Sequence, residues 1–139
     1  MHTAQVSLAV RYAETDQMGV VYHANYLVWF ELGRTAFTES IGLDYLEMEE
    51  AGIVSPVINV EASFKKPARY GDEVVVKTWL ETYDGLRVKY GYEVGTAGGQ
   101  ICVTGSTVHV CVRKSDFRPI SIRRQFPQWD AVYERVKQK

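Results

Sequence analysis

Cysteine and histidine are scarce in this chain, with two cysteines and three histidines among 139 residues. Cys102 and Cys111 lie nine residues apart in one apolar run. On a continuous strand that odd spacing points them to opposite faces, so neither a disulfide nor a metal pair is expected. His2, His23 and His109 make no HxxxH or HExxH spacing, and no paired CxxC accompanies them, which leaves no metal-ligand pattern. No GxSxG nucleophile elbow and no GxxxxGKS/T phosphate loop occurs. No stretch approaches the roughly 20 apolar residues that span a bilayer. The opening MHTAQVSLAVRYAETD has neither a basic start nor a long apolar run, so no secretion signal is expected. Excess charge is missing too: 16 basic residues face 17 acidic ones, for a net charge of −1. No global field draws the chain to nucleic acid or a membrane, and any anion must be held by a local cluster. A reduced, cytoplasmic setting is the expectation.

What the chain does have is an ordinary globular balance, 46% apolar and 24% charged, which predicts one domain over residues 1–139. Residues 5–13 alternate Val6, Leu8, Val10 and Tyr12 against polar or small neighbours, a half-buried strand. A helix about four turns long is predicted to open near Ala24 or Asn25, on the apolar face of Tyr26, Leu27, Phe30, Phe37 and Ile41, and to stop at Gly42. A shorter amphipathic piece, LDYLEMEEAG, follows. From residue 54 the text turns strand-like, with breaks at Gly71-Asp72, Asp84-Gly85 and Gly98-Gly99, the second a tight-hairpin signal. Leu86, Val88, Tyr90, Tyr92 and Val94 are predicted to share one face of their strand. His109, inside VHVCV, reads as a strand histidine. A closing helix is predicted in PQWDAVYERVKQ. The order predicts an α+β domain whose sheet leaves one face for the long helix.

The stretch ETDQMGVVYHANYL, residues 14–27, gathers Asp16, Gly19, His23 and Asn25 among apolar residues at the strand-to-helix junction. Asp16 stands about eight residues before the helix, too far to cap it. GVVYHAN would supply backbone N–H groups at the helix start, where the dipole favours a developing oxyanion. His23 is placed to orient a substrate or carry a proton.

RYAETDQMGVVYHANYLVWFELGR resembles the signature of hotdog-fold acyl-CoA thioesterases of the 4-hydroxybenzoyl-CoA thioesterase group. It is nearest the bacterial subgroup associated with the Tol-Pal system. The matching elements are Tyr12, Thr15-Asp16, Gly19-Val20-Val21, Tyr22-His23, Asn25-Tyr26, Glu31 and Arg34, with FKKPARYGDEV as a second landmark. The resemblance covers about residues 5–115 and implies a long central helix wrapped by a curved five-stranded antiparallel sheet. Two subunits would pair their sheets edge to edge in a homodimer or homotetramer, with CoA entering near the interface. Asp16 would be the catalytic carboxylate, as nucleophile or as general base to a water, and His23 the second catalytic residue. Tyr22 and Asn25 would shape the site. No cofactor is implied beyond the CoA of the substrate. A thioester carbonyl is electrophilic and its thiolate leaves readily, so one carboxylate and one oxyanion donor can suffice.

The CoA phosphates need cations. Candidates are Lys65, Lys66 and Arg69 in KKPAR, Arg87 and Lys89 on the polar face of their strand, and Arg113 and Lys114 after VHVCV. Relatives with an RRK-like run before the fourth strand have DGLR here. Tyr26, Phe30, Phe37 and Trp79 are candidates for the acyl pocket. Two alternatives stand beside hydrolysis: a hotdog dehydratase or hydratase using a carboxylate such as Glu31, and a non-catalytic acyl-thioester-binding protein.

Overall fold

Alternation of apolar and polar residues is strongest between residues 73 and 110, and the sheet is built around that stretch. The computed structural model describes residues 2–139. In chain order the elements are β1 (Thr3–Ala9), α1 (Asn25–Ser40), α2 (Tyr45–Glu50), β2 (Ile53–Val54), β3 (Val57–Phe64), β4 (Glu73–Tyr83), β5 (Arg87–Thr96), β6 (Ile101–Val110), β7 (Val112–Arg113), α3 (Ile122–Gln125) and α4 (Pro127–Val136). Five strands form one antiparallel sheet in the order β1-β4-β5-β6-β3. On β4, Val74, Val76, Thr78 and Leu80 are fully buried while Val75, Lys77, Trp79 and Glu81 turn outward and are only partly covered. Val88, Tyr90, Tyr92 and Val94 continue the buried face on β5. Between these strands the Asp84 carboxylate accepts the Leu86 and Arg87 N–H groups at 2.9 and 2.7 Å. Gly85 takes φ +94°, a conformation glycine adopts without a Cβ clash. These contacts fix the hairpin.

The helix α1 buries Tyr26, Trp29, Phe30, Gly33 and Phe37 along one stripe and packs across β1, β4 and β5. Phe30 stacks on Tyr92 with ring centroids 4.3 Å apart, and Phe37 meets Tyr90 edge-on. Each such side chain, taken out of water, contributes roughly 1.5–3 kcal/mol. β3 lies at the edge of the sheet, paired only with β6, and Ile58, Val60 and Phe64 remain exposed on it.

Several expectations need correction. The alternation of residues 5–13 runs on past the strand: β1 ends at Ala9, and Tyr12 sits in a short 3-10 turn with 76% of its surface exposed. Leu86 is exposed in the hairpin turn instead of sharing the face of Val88. β6 stops at Val110, so the premise of one continuous strand fails for Cys111, and both cysteines are buried free thiols. Phe30 and Phe37 are fully buried in the core, while Trp79 lies on the outward sheet face over Gly91, where a Cβ would come within 2.5 Å of its indole. The two-residue ladder of β2 with β7, and α3, are too short to leave a periodic signal.

Candidate active site

Asp16 is held by its own turn. Its backbone N–H donates to the Val20 carbonyl, its carbonyl accepts from Gly19, and Gly19 takes φ +79° to close the loop. Asp16 Oδ1 accepts the Met18 N–H at 2.9 Å, while Oδ2 has no partner among the described residues. The half-buried carboxylate therefore has one oxygen fixed and one free to react.

The loop is closed at its base by a bridge between Thr15 and Val21 and by the Tyr22 N–H donating to the Glu14 carbonyl. The Val21 N–H donates to the Ala68 carbonyl, which ties the loop to the KKPAR segment. Asp16 and His23 consequently line one cleft of about 280 Å³ with Tyr26, Phe64, Lys65 and Lys66. Tyr26 is the one acyl-pocket candidate there. Its hydroxyl accepts the Ala68 N–H, and burial pushes its ionisation upward, so it stays a neutral wall. The exposed imidazole of His23 rests against Tyr22 and Phe64, at centroid distances of 4.6 and 6.0 Å.

The cleft opens at the start of α1, whose N-cap is Ala24 and has no side-chain cap. Alanine has no oxygen to offer the first turn. Asn25, Tyr26 and Leu27 find backbone acceptors, but the N–H groups of His23 and Ala24 have none among the described residues. Two free donors at the positive end of a 16-residue helix suit a developing negative charge.

Glu14, two residues before Asp16, carried no signal in the sequence and anchors the base of the loop. It is buried, its carboxylate accepts the Arg11 N–H and the Trp29 indole N–H at 2.8 Å each, and its carbonyl accepts the Asn25 side-chain amide at 2.8 Å. Burial pushes its carboxyl upward, but the bonds from Arg11 and Trp29 outweigh that and hold it below the usual carboxylate range. Asn25 thus spends its amide on the loop base, and Tyr22 lies tilted against His23 outside the cleft lining.

The candidate cations divide. Lys65 and Lys66 line the cleft, and Arg69 lies on the exposed loop just beyond it, its N–H donating to Asp72. Lys89 is paired with Glu81 at 3.5 Å and Arg113 with Asp116 at 2.7 Å. Arg87 opens β5 beside Val110, and the Lys114 N–H donates to the Gly52 carbonyl. These four lie toward the Val57 end of the sheet, whereas the cleft lies at the Phe64 end of β3.

Glu31 lines a different cleft, also about 280 Å³, with Arg34, Tyr45, Ser55 and His109. A larger hollow of about 660 Å³, between His2 and residues 135–139, offers cations and no carboxylate side chain. Convergence of an unpartnered carboxylate oxygen, a histidine and free amides singles out the Asp16 cleft.

Known proteins share this arrangement of elements. The chain is 47% identical over 137 residues to a Bacillus subtilis (strain 168) protein provisionally named an acyl-CoA thioesterase, YneP, covering 99% of each. Its fold superposes on the DHNA-CoA thioesterase of Staphylococcus aureus with a TM-score of 0.94 and 41% identity, over 97% of this chain and 91% of that one. The 1,4-dihydroxy-2-naphthoyl-CoA hydrolase of Thermosynechococcus vestitus is 26% identical over 121 residues, 86% of this chain and 83% of its own. Residues 10–134 match the Thioesterase-like superfamily, and the chain is a member of that hotdog superfamily.

Proposed function

We propose that the protein hydrolyses an acyl-CoA thioester to the free acid and CoA, with Asp16 as the working carboxylate. The observation that carries this reading is the free Asp16 oxygen sharing a cleft with His23 beside two unbonded amides at the start of α1. A thioester carbonyl in the cleft would direct its oxygen to the His23 and Ala24 N–H groups. Asp16 then either attacks the carbonyl carbon, expelling CoA thiolate and leaving a mixed anhydride that water cleaves, or takes a proton from the water that attacks. In both routes the charge on the tetrahedral oxygen meets the helix donors. The thiolate leaves and takes its proton from solvent or, in the general-base route, takes the proton that Asp16 took from water, with His23 lining the cleft to relay it. No cofactor is needed beyond the CoA of the substrate.

A second copy completes the site in this reading. We take α1 as the central helix that the sheet wraps, with the uncovered edge β3 pairing antiparallel with its own copy. A twofold axis across β3 would bring the Val57 end of one subunit to the Phe64 end of the other. Arg87, Lys89, Arg113 and Lys114 of the partner could then reach CoA phosphates beside Lys66 and Arg69. A cytoplasmic setting fits the two free thiols. The loop motif favours kinship with the Tol-Pal-associated subgroup, while the naphthoyl-CoA hydrolases among the relatives make an aromatic acyl group the first to try. Glu31 belongs to a separate cleft of this chain, which disfavours the hydratase alternative.

The test follows CoA release with a thiol reagent over short aliphatic, long aliphatic and aromatic acyl-CoAs, 1,4-dihydroxy-2-naphthoyl-CoA included. Asp16→Asn is expected to fold and bind acyl-CoA but to lose about a thousandfold or more in kcat, as removal of a positioned nucleophile or base does. Near-normal turnover by that variant would refute the assignment. Water addition to crotonyl-CoA without thiol release would favour the hydratase.

A further inference from the structure

Glu14 is a buried carboxylate for which the reaction has no direct use. It does not line the cleft, yet four hydrogen bonds converge on it from three directions. Through the Arg11 N–H it holds the turn that leads into the loop. Through the Tyr22 N–H, donated to its carbonyl at 2.9 Å, it closes the loop that carries Asp16. Through Asn25 Nδ2 and Trp29 Nε1, both at 2.8 Å, it grips α1. Asn25 and Trp29 are four residues apart and therefore lie on one face of the helix, one turn above the other. A single residue thus ties the base of the Asp16 loop to the first two turns of the helix that presents the free amides.

Two backbone routes also join the halves of the proposed site, the Asn25 N–H donated to the Tyr22 carbonyl and Val21 through Ala68 to the Tyr26 hydroxyl, and Glu14 adds the side-chain bonds from Asn25 and Trp29 to them. Asp16 is carried by a turn of residues 16–20 whose internal bonds fix its shape but not its place on the helix. The His23 and Ala24 donors are fixed to α1. Where the loop base meets the helix, most of the direct bonds between them end on Glu14. A displacement of about 1 Å between a reacting group and its oxyanion donors can cost about a hundredfold in rate.

We propose that Glu14 is the positioning residue of this site, acting through Asp16 to hold the carboxylate in register with the amide donors of α1. The inference rests on the thioesterase reading above. Glu14→Gln presents one acceptor where two N–H donors converge, so either the Arg11 or the Trp29 bond is lost. Trp29→Phe removes the indole donor and leaves the carboxylate in place.

The test measures kcat and KM for acyl-CoA in Glu14→Gln, Trp29→Phe, Asp16→Asn and the Glu14→Gln/Asp16→Asn double variant. The Trp29 indole N–H resonance reports whether the bond is broken. Glu14→Gln and Trp29→Phe are expected to lose about 10- to 100-fold in kcat with KM little changed. The double variant is expected to be no slower than Asp16→Asn, because a residue that acts through Asp16 has nothing left to position. Wild-type kcat in Glu14→Gln with a displaced indole resonance would overturn the proposal. So would an equal loss in both backgrounds, the mark of general loosening, or a loss confined to KM. If Glu14→Gln fails to fold, Trp29→Phe, alone and with Asp16→Asn, carries the same comparison. Full activity in Asp16→Asn would sink the catalytic reading and the proposal with it. A crippled Asp16→Asn beside a fully active Glu14→Gln would sink the positioning role alone.

Discussion

At the scale of single residues, the site separates what a side chain does from what its neighbours make of it. That Asp16 and His23 meet in one cleft is legible in the sequence because one short segment carries both. Glu14 is not, since its meaning lies in Trp29 and Asn25, which reach it only through the fold. His109 is legible as a strand residue and no further. In the structure it is buried within a chain of hydrogen bonds from Arg34 through Tyr92 and Thr107, at 3.1, 2.6 and 2.9 Å. Burial, and then the Arg34 guanidinium, push its ionisation down from 6.5 to about 4, against a weaker upward pull from the Ser55 carbonyl. The unfolded chain therefore takes up a proton that the folded chain refuses. Stability is full above about pH 6.5 and falls as pH drops toward about 4, by on the order of 3 kcal/mol. Urea unfolding across that range should show the slope in the wild type and a flatter line in His109→Gln, whatever the variant's absolute stability. Glu14 and Asp84, with lowered carboxyls, add acid sensitivity only below the ordinary carboxylate range.

At the scale of elements, β4, β5 and β6 are readable because period-2 patterning and glycine turns agree. The end of β1 is not, because the alternation continues through Tyr12 while the chain turns away to build the loop. The helix is readable from its apolar stripe, but the stripe does not say how closely it approaches the sheet. Gly33 does: a Cβ there would stand 2.3 Å from Thr78 Oγ1 and 2.9 Å from Val76 Cγ1. In an exposed helix, Gly→Ala gains about 1 kcal/mol. Here the sign should reverse, and Gly33→Ala is expected to destabilise the fold by about 1–3 kcal/mol as α1 is forced off β4. Thr78 Oγ1 is also a buried hydroxyl without a partner among the described residues. Thr78→Ala should therefore recover part of the loss in the Gly33→Ala background, a coupling that chemical denaturation of the single and double variants would measure.

At the scale of the whole molecule, the sheet is lopsided. α1 covers β1, β4 and β5, so the helix-side residues of β3 have little of this chain above them. Ile58, Val60 and Phe64 are 54%, 42% and 55% exposed, and the outer edge of the strand presents unpaired backbone groups. Soluble proteins usually blunt such an edge with charge or proline; within β3 the only charge is Glu61 and proline is absent. An edge both apolar and open suits self-pairing about a twofold axis, where the same strand serves both partners. The Asp16 cleft ends at Phe64 and Lys65, on this edge, so assembly and activity should rise and fall together. Val60→Lys places a charge in the middle of the strand, where two copies would bring like charges close. The wild type is expected to sediment as a dimer or larger at micromolar concentration. The variant should sediment as a folded monomer with circular dichroism intact and CoA release strongly reduced. A wild type that sediments as a fully active monomer would refute the shared site, and a monomeric variant with full activity would confine the role of β3 to assembly.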